Sequence, residues 1–180
     1  MENIEKIKLI VLDVDGTLTD GGIYYDSQGN EMKRFDVRDG LGIKVGQAAG
    51  LEFAIITGRE SPMVERRARE LGIQYLVQGV QKKAPAMKAL MERLGLDREN
   101  AAYMGDDWND VPAMKLAAIA ACPADADPRI RALCHYVAPR GGGSGAVRDF
   151  IQEVLERRHL WQETAREIYK GLSGQKEFCK

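Results

Sequence analysis

Two stretches, IKLIVLD at 7–13 and LEFAIIT at 51–57, are apolar at nearly every position. A strand with one face in water alternates apolar and polar side chains. A short run without that alternation fits a strand buried on both faces, as in a parallel sheet covered by helices. Four more short runs follow, at 75–79, 101–106, 118–123 and 135–139. Helical segments lie between them. SPMVERRARELG (61–72) offers Ser61 as an N-cap, Pro62 at the first helical position and Gly72 as a stop. Segments 82–95, 109–117 and 128–134 also read as helices, and 146 to about 172 as one long helix or two. This order predicts an α/β fold: a three-layer, Rossmann-like sandwich around a mostly parallel sheet with right-handed crossovers.

One stretch breaks the alternation. GGIYYDSQGNEMKRFDV (21–37) reads as two strand-like runs, IYYD and MKRFDV, around the turn residues SQGN. That is a β-hairpin projecting after the first strand. PRGGGSG (139–145) reads as a flexible loop. The 180 residues are read as one domain over 1–180, with the hairpin insert at about 21–37 and a helical tail at about 156–180. Leu160, Trp161 and Ile168 give that tail an apolar side for the body or a neighbouring subunit.

Charge excludes some functions. Lys and Arg total 26 against 27 Asp and Glu, a net charge of −1, so nothing global favours nucleic acid. No stretch is apolar enough for a membrane span. Cys122, Cys134 and Cys179 have neither disulfide nor zinc spacing, and a reducing cytoplasm is the expected compartment. His135 and His159 lack partners at metal-ligand spacing.

Ligands of such sheets bind beyond the carboxyl ends of the strands. Asp13, Thr57 and Asp106 each close a candidate strand there. Asp13 and Asp15 lie two apart in DVDGT; Asp106, Asp107 and Asp110 lie in GDDWND. Several carboxylates on one rim repel, and a hard divalent cation such as Mg²⁺ relieves the repulsion. Carboxylates beside such a cation suit phosphoryl transfer. Each piece alone has a bland reading: a turn, a structural Thr, a loop, a solvated Lys. Their joint order at the strand ends does not.

DVDGT (13–17), Thr57 in IITGR, Lys83 in QKKAP and GDDWND (105–110) resemble the four motifs of the haloacid dehalogenase superfamily. The resemblance implies Asp13 as nucleophile and metal ligand. It implies Asp15 as general acid and base, binding Mg²⁺ through its backbone carbonyl. Thr57 and Lys83 would hold the phosphoryl group. Asp106 would be the third protein ligand, with Asp110 in support and Asp107 in support or structural. Lys82 is the neighbouring alternative; the family's spacing from the preceding Gln-Gly selects Lys83. Asp at the second position of the Asp-x-Asp pair is similar to the phosphatase branches.

About 40 residues separate Asp15 from Thr57, and about 25 separate Thr57 from Lys83. Neither gap holds a large cap domain. FDVRDGLGIK, ITGRESPMVERRARELGI, YLVQGVQKK and APRGGGSGAVRD resemble the capless branch acting on 3-deoxy-D-manno-octulosonate 8-phosphate, a lipopolysaccharide precursor. That resemblance implies a homotetramer whose hairpins form a central barrel, and a loop (Gly141, Gly142, Gly143) reaching a neighbour's site. It implies substrate contacts from Asp36, Val37, Arg38, Asp39, Gly40, Lys44, Arg59 and Arg67. Lys44 departs from that branch, where Arg is common. Two alternatives stay open: a nine-carbon sialic-acid-type 9-phosphate, whose enzymes tend to carry Glu where Arg59 stands, and a phospho-accepting receiver module.

Overall fold

The computed structural model describes residues 4–168. Strand β1 (Leu9–Leu12) is followed by a two-stranded hairpin, β2 (Tyr24–Tyr25) and β3 (Glu31–Met32), then helix α1 (Val37–Ala48). The chain then alternates: β4 (Glu52–Ile56), α2 (Pro62–Leu71), β5 (Tyr75–Val77), α3 (Lys83–Leu94), β6 (Ala101–Met104), α4 (Val111–Met114), β7 (Ile119–Cys122), α5 (Pro128–Leu133), β8 (Tyr136–Val137). Two helices close it, α6 (Ala146–Arg157) and α7 (Trp161–Ile168). The six main strands form one parallel sheet in the order β5-β4-β1-β6-β7-β8.

The run Leu9–Leu12 is buried at every position because both faces are covered. Ile10 and Leu12, with Phe53, Ile55, Ala102 and Met104, pack under α1, α2 and α6. Leu9 and Val11, with Ala54, Ile56 and Tyr103, pack under α3, α4 and α5. Register aligns the strand ends: Leu12 pairs with Ile55 on one side and Met104 on the other. Asp13 is the next residue, so three chain segments leave the sheet at one rim.

The hairpin is shorter than the sequence suggests, and MKRFDV is not a strand beyond Met32. Phe35 makes an isolated bridge to Thr19. The Asp36 carboxylate then accepts from Arg38 N at 2.7 Å, capping α1 and turning the chain into a helix. Helix α1 itself goes unread in the sequence, since Gly40, Gly42 and Gly46 weaken its helical pattern. Tertiary packing explains those glycines: a Cβ on Gly46 would lie 2.7 Å from Phe53 Cζ, and one on Gly42 2.9 Å from Arg148 Cδ. The bare face lets α1 lie close on β4 and α6.

Ser61 stands at the N-cap of α2, yet its buried hydroxyl makes no capping bond. The tail segment is two helices, broken at His159 with φ 57°. Leu160 and Trp161 pack on the body, and the Arg148 guanidinium lies 4.1 Å from the Trp161 ring centroid; Ile168 stays exposed. The rest of the expected tail lies outside the described residues. Among the described residues, no helix is long and apolar enough to cross a membrane.

In an ordinary helix interior Gly→Ala stabilises by about 0.5–1 kcal/mol. Gly46→Ala is expected to do the reverse, lowering stability by about 1–3 kcal/mol through overpacking against Phe53 and Ile151. A urea midpoint below that of the parent protein, with unchanged slope, is the outcome to look for.

Candidate active site

The acids at the strand ends converge as expected. Asp13 follows β1, its N–H donating to Met104 O at 2.9 Å. The chain then makes a wide turn over Val14–Leu18, closed by Thr19 N donating to Val14 O. Gly16 sits in this turn with φ 92°, and a Cβ there would overlap the Asp106 carboxylate. Only glycine meets both demands. The turn thus brings Asp13, Asp15 and Asp106 to one cleft of about 220 Å³, lined also by Thr57, Gly58, Arg59, Asp107 and Asn109.

Beneath the cleft lies a charge network. Lys83, the first residue of α3, is 2% exposed, while Lys82 is exposed. This separates the two lysines. Lys83 Nζ lies 2.7 Å from Asp13 Oδ1 and 2.7 Å from Asp110 Oδ1. Tyr103 OH donates to the same Asp110 oxygen at 2.7 Å. Asp110 Oδ2 accepts from Asp106 N at 3.1 Å and Asp107 N at 3.3 Å. Asp110 is wholly buried with both oxygens engaged, so it organises the site rather than facing it.

That occupancy distinguishes the acids by how many of their oxygens are already engaged. Oxygens of Asp13, Asp106 and Asp110 lie within 4.8 Å of one another. Both Asp110 oxygens are committed to Lys83, Tyr103 and two amides, whereas Asp13 is engaged by Lys83 through Oδ1 and Asp106 by Thr17 through Oδ1. Burial, then the neighbouring Asp110 charge, pushes the Asp13 carboxyl up to about 7, against the pull of Lys83. Burial and the charges of Asp13 and Asp110 push Asp106 up to about 8, against the Thr17 hydroxyl, which donates to Asp106 at 3.3 Å. The site thus carries more negative charge than its own cations offset, and the donor set is all oxygen. Both features fit a hard divalent cation.

Other expected residues take different places. Arg59 lines the cleft; Asp36, Val37, Arg38, Asp39, Gly40, Lys44 and Arg67 do not line it. Asp36 and Arg38 pair with each other at 2.7 Å, and Val37 is 81% exposed. Asp39 is buried and caps α6 through Arg148 N at 2.8 Å; burial pushes its carboxyl up to about 6. Gly40 makes room for Arg67, whose Nη2 reaches Asp36 O at 3.5 Å. The Lys44 ammonium lies beside Gly72, at the far end of α2 from the rim.

The loop expected to be flexible is held. Gly143 N donates to Thr17 O at 3.1 Å and Gly142 N to Asp125 Oδ1 at 2.9 Å. A Cβ on Gly142 would overlap the Gly16 carbonyl, and one on Gly141 would lie 2.5 Å from Asp125 Oδ2. Gly141–Gly143 therefore brace the turn of their own chain. Tyr103, Thr17 and Asn109 were not singled out in the sequence, although Thr17 and Asn109 lie within the DVDGT and GDDWND motifs and Tyr103 just before the latter. Lys33 and Glu31 were missed as well: Lys33 Nζ lies 2.5 Å from Asp15 Oδ1, and Glu31 Oε1 lies 2.7 Å from Arg59 Nη2. Nothing local in the hairpin sequence marks them.

Residues 43–118 match the haloacid dehalogenase-like hydrolase family. The chain is 45% identical over 155 residues to 3-deoxy-D-manno-octulosonate 8-phosphate phosphatase KdsC of Escherichia coli (strain B / BL21-DE3), covering 86% of this chain and 82% of that protein. The crystal structure of 3-deoxy-D-manno-octulosonate 8-phosphate phosphatase from Moraxella catarrhalis, in complex with magnesium ion, phosphate ion and KDO molecule, superposes with TM-score 0.89. It is 38% identical, over 93% of this chain and 96% of that one. The cobalt-bound Haemophilus influenzae phosphatase superposes with TM-score 0.84 at 38% identity, over 88% of this chain and 92% of that one.

Asp13 and Asp106 keep protons in the fold that the unfolded chain, with ordinary values of 3.8, has already released. Their contribution is therefore greatest below the unfolded value and is lost as pH rises through about 7 and 8. A cation binds the ionised forms. The increase in thermal midpoint on adding Mg²⁺ to chelator-treated protein is expected to grow between about pH 6 and about pH 9. An equal increment at both ends would contradict this assignment.

Proposed function

The chain belongs to the 3-deoxy-D-manno-octulosonate 8-phosphate phosphatases of the haloacid dehalogenase-like hydrolases, and on that premise we propose that it hydrolyses 3-deoxy-D-manno-octulosonate 8-phosphate, with Mg²⁺, in lipopolysaccharide precursor synthesis. The observation that supports this reading best is the pairing of Asp13 with buried Lys83 at the floor of a cleft that Asp15 and Thr57 also line.

In this reading Asp13, Asp106 and the Asp15 backbone carbonyl hold the cation, which offsets charge on the phosphoryl oxygens. An Asp13 carboxylate oxygen forms a bond to phosphorus as the ester P–O bond breaks. Asp15 gives its proton to the departing sugar oxygen. Water then attacks phosphorus, Asp15 takes a proton from it, and the Asp13–phosphorus bond breaks. Lys83 and Thr57 bind the phosphoryl oxygens. Lys83 has a second task before substrate arrives, since its charge offsets part of the cost of burying Asp13. Asp110 positions Lys83 and the Asp106 amide, and Asp107 sits at the exposed edge.

Arg59, at the cleft wall where the nine-carbon enzymes tend to carry Glu, supports the eight-carbon sugar acid over the nine-carbon alternative. Arg38 and Arg67 are proposed for the sugar acid's far end. Lys44 is not, given its place beside Gly72. The cytoplasm is the proposed compartment, consistent with unpaired Cys122 and Cys134. A homotetramer is proposed on the apolar hairpin surface, where Ile23, Tyr24, Tyr25 and Met32 are 55%, 43%, 63% and 51% exposed. The Gly141–Gly143 loop would serve a neighbour's site only by leaving the turn it braces, so that role is not carried forward.

Phosphate release should depend on Mg²⁺, favour the eight-carbon 8-phosphate over a nine-carbon sialic-acid-type 9-phosphate, and vanish in Asp13→Asn. Turnover by Asp13→Asn would reject the nucleophile, and preference for the nine-carbon ester would reject the substrate. Light scattering is expected to give four times the chain mass, dropping to one chain for the Ile23→Lys/Met32→Lys variant. A monomeric parent protein would reject the tetramer.

A further inference from the structure

The group that touches the Asp15 side chain comes from the hairpin. Lys33 follows β3, and its side chain is 1% exposed. Its ammonium lies 2.5 Å from Asp15 Oδ1 and 3.6 Å from Glu31 Oε1. Arg59 closes the circuit, with Nη2 2.7 Å from Glu31 Oε1 and Nε 4.0 Å from Asp15 Oδ2. A lysine just beyond a two-residue hairpin strand normally keeps its charge in water, because burying an ammonium is costly unless carboxylates compensate it. Here burial and pairing both point inward, to the acid of the cleft.

Resting on the assignment of Asp15 as general acid and base, we infer that Lys33 is a positioning residue: its ammonium holds Asp15 Oδ1, so that Oδ2 is the oxygen that carries the proton to and from the reacting groups. A carboxylate and a carboxylic acid both keep an acceptor oxygen. Lys33 therefore donates to Oδ1 whether or not Oδ2 is protonated, and Asp15 keeps one orientation through both half-reactions. In the first, the proton on Oδ2 passes to the sugar oxygen while the ester P–O bond breaks and the Asp13–phosphorus bond forms. In the second, a proton of the attacking water passes to Oδ2 while the Asp13–phosphorus bond breaks. Glu31 and Arg59 steady the pair: Glu31 lies 3.6 Å from the ammonium, and Arg59 is anchored to Glu31.

A lost acid matters only when the leaving group needs a proton. The test compares a primary alkyl phosphate (the sugar acid 8-phosphate) with p-nitrophenyl phosphate, whose phenolate departs unprotonated. Lys33→Met is expected to lower kcat on the alkyl ester about tenfold or more and on the aryl ester by less than about threefold. Lys33→Arg, which restores the donor, is expected to recover most of the alkyl activity. In an Asp15→Asn background, Lys33→Met is expected to add no further loss. Equal falls on both esters, an unchanged alkyl rate, no recovery by Arg, or an added loss in the double variant would each overturn the inference. An added loss would mean that Lys33 merely supports the hairpin. A parent protein releasing phosphate from neither ester would overturn the phosphatase reading, and this inference with it.

Discussion

An ammonium buried between two carboxylates organises this molecule's functional end. Lys83 bridges Asp13 and Asp110, and none of the three has much contact with water. Removing one partner from such a group leaves an uncompensated buried charge, at a cost of about 3–5 kcal/mol. The network therefore survives only if every member arrives together. Two strand ends, those of β1 and β6, and the N-terminus of α3 must be placed for that, which is what a register-matched parallel sheet provides. The arrangement stays electrically unfinished: burial first, and then the charge of neighbouring carboxylates, pushes Asp13 up to about 7 and Asp106 up to about 8. An incomplete balance of this kind is what a divalent cation can complete.

Close backbone approach is the second requirement. The turn after β1 passes so near Asp106 that Gly16 has no room for a Cβ, and the loop at Gly142 closes on the same turn from the other side. Asp39 caps the helix that follows that loop. The substrate-contact role that resemblance assigns to Asp39 is thus joined by a plain structural one. Residues far apart in sequence share one brace around the turn that carries Asp13 and Asp15.

How much of this was legible depended on range. Unbroken apolar runs such as Leu9–Leu12 announced a sheet covered on both faces, because burial on both sides leaves no polar alternation. The convergence of Asp13, Asp15, Thr57 and Asp106 on one rim was legible because each lies at or just beyond a strand end within a compact motif. Helix α1 was illegible: its glycines lower helical propensity, and their purpose is contact with Phe53 and Arg148, which lie elsewhere in the chain. The strand expected at 32–37 failed for a related reason, since the Asp36 cap serves a helix whose own pattern is weak.

The sequence by itself determined the fold class, the rim on which the acids meet and the cation chemistry they invite, because these follow from hydrophobic period and from motifs a few residues long. The tertiary structure alone decided which acid is free and which is spoken for. Asp110 is consumed by Lys83, Tyr103 and two amides, while Asp13 and Asp106 remain available. It also decided that Lys33 turns inward to Asp15, and that Lys44 lies away from the cleft. Hydrogen-bond capacity and burial are properties of position, shared among residues that the chain brings together only when folded.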